Sequence, residues 1–150
     1  MSLTIKEKII HWLAVAGGAA LVAFAAKTPV TMLFFTILQV TGMAEATALP
    51  VLLGAMALLL IGFAFWMNKQ SGPRMIAEYS TLAAGLLFCF AVLCIIGVTA
   101  YEFALDQQAT DPGGPAMAVL LVALFSAVYL VLAAICFGIG LTLRRRRLSA

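Results

Sequence analysis

Residues 80–101 read STLAAGLLFCFAVLCIIGVTAY, from Ser80 to Tyr101 without one Lys, Arg, Asp or Glu. As a helix rising 1.5 Å per residue, the stretch reaches about 33 Å, enough to cross a hydrocarbon core of about 30 Å. Three further apolar runs of comparable length flank it: Ile9–Ala26, Leu49–Met67 and Ala116–Leu143. The nine basic and six acidic residues all fall at or beyond the ends of these runs. With 65% hydrophobic residues, 10% charged and a mean hydropathy of +1.14, the chain reads as a multi-pass membrane protein.

Its 150 residues leave no room for a second, soluble domain. The fold expected is an all-α, four-transmembrane-helix bundle forming a single domain. Lys6 and Lys8 precede the first run as in a signal sequence, but three more runs depend on it for orientation. An uncleaved first helix is expected, begun by Thr4 as N-cap. The last run is long, about 42 Å as a helix, and should tilt or extend past the membrane.

Charge alternates between the connections. Asn68–Ala77 carries Lys69 and Arg74, whereas Glu102–Pro115 carries Glu102, Asp106 and Asp111 with no basic residue. The C-terminal tail carries Arg144, Arg145, Arg146 and Arg147. The positive-inside rule then places both termini and the middle loop in the cytoplasm, with Lys27 the one basic residue outside. Trp12, Trp66 and Tyr79 fall at the inner interface of this topology and Tyr101 and Phe103 at the outer one, where amphipathic rings prefer to sit. Asp111-Pro112-Gly113-Gly114-Pro115 and Ser71-Gly72-Pro73 supply the turns. Short connections suit a bacterial inner (plasma) membrane.

Residues 28–44 are a fifth apolar stretch. Thr28-Pro29 resembles an N-cap followed by proline in the first turn. Thr31, Thr36, Gln39 and Thr41 spread polarity around the helix, so the segment is expected to be an interfacial or re-entrant helix between helices 1 and 2, or a kinked continuation of helix 1. A fifth span is the weaker option, because it places Lys6 and Lys8 outside.

Chemistry-bearing residues are few. His11 is the only histidine, with Glu7 at i−4 as its one obvious neighbour, so no metal site, cofactor or catalytic group is expected. Glu78 is expected to pair with Arg74 at i−4. Cys89, Cys94 and Cys136 all fall within spans, are odd in number and contain no C-x-x-C, which reads as small apolar packing. Tyr129 needs a hydroxyl partner at mid-depth and shares a face with Ser126, so the pair makes an interhelical bond or one wall of a polar pocket. Ala14 and Gly18 in helix 1, and Ala134 and Gly138 in helix 4, form small-residue faces for close helix packing.

Proton relays and ion-coupled transport usually need an ionisable group at depth, and the charge map offers none. The expected function is therefore a non-enzymatic membrane subunit, a scaffold or anchor of a homo-oligomer or larger membrane assembly. A small oligomeric channel or transporter, lined by Thr31, Thr36 and Gln39 with Ser126 and Tyr129, is the alternative; a lipid-handling enzyme is the third. Partners expected are membrane lipids and other membrane subunits. Arg144, Arg145, Arg146 and Arg147 would meet anionic lipid or a cytosolic protein, and nucleic acid is not expected.

Overall fold

The computed structural model describes residues 4–41, 45–69, 72–105 and 114–149. They form four α-helices and no strand: α1 (Ile5–Thr41), α2 (Glu45–Asn68), α3 (Pro73–Leu105) and α4 (Gly114–Leu148). Each is long and apolar enough to cross a membrane, through Ile5–Gln39, Pro50–Asn68, Pro73–Tyr101 and Met117–Leu148.

The helix starts follow from local chemistry. Thr4 caps α1 as expected: its carbonyl accepts from the Lys8 N–H at 3.1 Å, and its own N–H and hydroxyl donate to Glu7 Oε2 at 2.8 and 2.9 Å. This reciprocal capping box satisfies donors that a helix start otherwise leaves bare. Gly72, with φ of 156°, accepts from the Ile76 N–H, and Pro73 then opens α3 where no backbone donor is required. Pro115 occupies the same kind of position in α4.

Residues 28–41 are not a separate element. They continue helix 1, one of the options expected, and α1 passes through Pro29 without a break. The Thr-Pro pair misleads because proline in a helix interior normally removes a hydrogen bond and crowds the preceding turn. Here Pro29 is fully buried, and the Thr28 hydroxyl bonds to Tyr129 of α4 rather than capping a new helix. Neighbouring helices support such prolines in membrane proteins. Residues 42–44, the end of the expected segment, lie outside the described residues.

α3 is the most buried helix and packs along both α1 and α4, whereas α2 packs along α1. Among the described residues these are the extended helix contacts, so the order in space is α2–α1–α3–α4. One core joins Ala25 of α1, Ala84 and Phe88 of α3, and Ala133 and Cys136 of α4. A second joins Val15, Met67 and Ile76 where α1, α2 and α3 meet. Glycines permit close approach on both sides of α3. A Cβ on Gly18 would stand 2.8 Å from Met67 Cε and 2.9 Å from Ser80 Cβ; one on Gly140 would stand 2.8 Å from Leu82. α2 and α4 are the least buried, and their outward leucines, isoleucines and valines suit lipid, which is as apolar as they are.

Candidate functional site

An interhelical polar contact sits beside an aromatic cluster at one level of α1. Phe24 meets Phe88 edge-on, with ring centroids 6.2 Å apart, and Phe88 in turn meets Tyr129 at 5.8 Å. One turn further along α1, the hydroxyls of Thr28 and Tyr129 share a hydrogen bond between α1 and α4. Tyr129 therefore has the partner its depth demands. It is not Ser126, whose buried Oγ has no hydrogen-bond partner among the described residues.

Lys27 stands at this same level. On α3, Phe88 lies ten residues past Glu78 and fourteen before Glu102. α1 runs parallel to α3, because Val15 packs with Ile76 and Phe24 with Phe88. Lys27 lies three residues beyond Phe24, so its Cα is roughly 20 Å from the Glu78 level and roughly 17 Å from the Glu102 level. This corrects the reading that no charge interrupts an apolar run. The first two stretches are one helix, and Lys27 is exposed on its flank near the bundle's mid-height.

The end of the bundle where α1 begins and α4 finishes is differently built. Glu78 is 2% exposed, and Arg147 donates to its Oε1 at 3.1 Å. The local pairing with Arg74 is thereby replaced by a pairing between α3 and α4. His11 Nε2 bonds Asn68 Oδ1 at 3.2 Å across α1 and α2, and Trp66 packs edge-on against Tyr79 at 5.8 Å. Arg144, Arg145 and Arg146 are exposed, and they belong to the end of α4 rather than to a loose tail. Basic residues there also complement the helix dipole.

The pore-lining candidates do not come together. Thr31 donates to the Lys27 carbonyl at 2.7 Å and Thr36 to the Met32 carbonyl at 2.9 Å, so both hydroxyls turn back onto their own helix. Gln39 is exposed, and the three positions spread over about 140° of α1. A shallow cleft between α1 and α2 is apolar, lined by Val22, Ala23, Ala26, Met56, Leu59 and Leu60. Among the described residues no three His, Cys, Asp or Glu side chains are placed to hold a metal ion.

The small-residue faces divide. Gly18 is buried in a three-helix junction with Ala14 half-buried beside it. Ala134 and Gly138 are exposed, and a Cβ on Gly138 would meet nothing within 4 Å. The glycines that admit close neighbours on the α3–α4 side are Gly85, where a Cβ would stand 3.2 Å from the Phe137 ring, and Gly140. Sequence reasoning missed both, and a small-residue pattern alone does not distinguish them from Gly138. No family model, curated protein or solved structure matches the chain.

Proposed function

We propose that the protein is a non-enzymatic subunit of a larger membrane assembly, serving as a scaffold or anchor. The observation carrying this reading is a set of close-packing positions that none of the described residues uses. Gly54 and Gly62 of α2, and Gly138 of α4 with Ala134 beside it, face open space. In lipid, helices associate through backbone approach and van der Waals packing, which small residues permit, rather than through a hydrophobic drive. The two least buried helices thus offer surfaces suited to neighbouring subunits.

In the same reading both termini are cytoplasmic, on the charge asymmetry of the connections, and the membrane is a bacterial inner membrane. Arg144, Arg145 and Arg146 then lie at the anionic inner leaflet, where each contributes about 1 kcal/mol of lipid attraction. Extraction from native membranes in mild detergent, followed by native mass measurement, tests the proposal. A defined homo-oligomer or a stoichiometric complex is the expected result; a monodisperse monomer overturns it. Gly138→Leu should weaken whichever assembly uses the α4 face.

A further inference from the structure

We infer that the free flank of α1 around Lys27 binds a transmembrane helix of a different polypeptide, one bearing an Asp or Glu near the middle of its span. The inference rests on the membrane-subunit reading and names the chemistry of one partner.

Three observations converge. Lys27 is exposed on the outside of α1, on neither the side that packs into the α3–α4 core nor the α2 cleft. Its Cα lies near the bundle's mid-height, so in a membrane the side chain starts from near the middle of the span. A lysine's four-carbon stem is short against that depth, which limits its escape to water. A charge held there is strongly unfavourable unless paired.

The second observation concerns shape. Leu13, Ala16, Ala20, Phe24 and Lys27 recur at helical spacing along one exposed stripe. Ala16 and Ala20, with exposed Gly17 alongside, keep the approach to Lys27 low, and a Cβ on Gly17 would meet nothing within 4 Å. A second helix can therefore lie close to the backbone just where the charge needs covering.

The third is charge complementarity, which selects the occupant. A second copy laid symmetrically on this stripe would oppose Lys27 with Lys27. Among the described residues no carboxylate lies at this level either. Glu7 and Glu45 open α1 and α2, Glu78 is held by Arg147, and Glu102, Asp106 and Asp111 lie at or after the end of α3. Lipid headgroup phosphates lie at the interfaces, about 15 Å from the midplane. What remains is a carboxylate carried into the membrane on another protein's helix.

The test uses the full-length protein in phosphatidylcholine vesicles with leucine-rich peptides of about 23 residues. The central residue of the peptide is Asp, Asn or Leu, and association is read by fluorescence energy transfer. The Asp peptide should associate about tenfold more tightly than the Leu peptide, and Lys27→Leu should remove that difference. Lys27→Asp should invert it, favouring a peptide with central Lys. Helicity and native mass unchanged from the parent confirm that the fold of both variants is retained; substitution at an exposed position touches no core contact. Equal binding of the Asp and Leu peptides, or an undiminished preference in Lys27→Leu, overturns the inference while leaving the subunit reading intact. A monomer from native membranes removes the subunit reading without altering the peptide result.

Discussion

Arg147, one residue from the end of α4, clasps Glu78 in the second turn of α3 at 3.1 Å. The carboxylate is almost wholly buried and the guanidinium is about a third exposed, so Glu78 depends on a partner that is itself partly hydrated. Removing one member of such a pair leaves a buried charge unpaired, which is costlier than the net value of the pair. Arg147→Gln should destabilise the bundle by about 1–3 kcal/mol in a denaturing-detergent titration. Arg145→Gln should lie within about 0.5 kcal/mol of the parent. Adding Glu78→Gln to Arg147→Gln should recover part of the loss, and a fully additive double variant would show that the two groups do not interact.

Gly18 makes a sharper steric prediction. Met67 Cε is the flexible end of a side chain and can move, but Ser80 Cβ is fixed to its helix, 2.9 Å from where an alanine methyl would stand. Gly18→Ala should therefore cost about 1–3 kcal/mol through overpacking, with Gly140→Ala behaving alike against Leu82. Gly138→Ala in detergent-solubilised monomer should be neutral, because its Cβ meets nothing. Equal effects at Gly18 and Gly138 would contradict the packing described.

The hydroxyls of Tyr129 and Ser126, both on α4, should respond in opposite ways. Tyr129→Phe removes the bond to Thr28 and should cost about 0.6 kcal/mol, with about 2 kcal/mol as a ceiling, as polar contacts in membranes do. Ser126→Ala deletes a buried group that has no partner among the described residues and should be neutral or stabilising. Paired unfolding measurements on both variants would show the sign difference directly.

Much of the fold is legible in the sequence. Apolar length marks the four helices, although Lys27 interrupts the first, and Thr4 and Pro73 mark two of their starts. The failures share a cause: each needed a contact between residues far apart in the chain. Thr28-Pro29 carries the local signature of a helix start, and only the hydroxyl of Tyr129, a hundred residues on, assigns Thr28 another task. Arg74 is the obvious neighbour of Glu78 along α3, whereas Arg147 becomes its neighbour only when α4 folds back. Gly138 and Gly140 are equally small and two residues apart. A helix that is apolar all round has no hydrophobic phase to say which of them faces inward. The misreading of Thr28-Pro29 also misplaces Lys27, since splitting α1 in two sets it at a boundary instead of on a flank.

The arrangement α2–α1–α3–α4 also has a chronology. A chain synthesised from its N-terminus delivers its helices in the order 1, 2, 3, 4, yet the core around Phe88 takes residues from the first, third and fourth. The second arrival contributes to the other junction, through Met67, and must settle on α1 without occupying the flank that α3 will take. Until α4 is made, Phe88 lacks Tyr129, Thr28 lacks its hydrogen bond and Glu78 lacks its cation. The bundle's interior is completed by its fourth helix, so a chain halted after Leu105 would leave the α4-facing side of α3 uncovered.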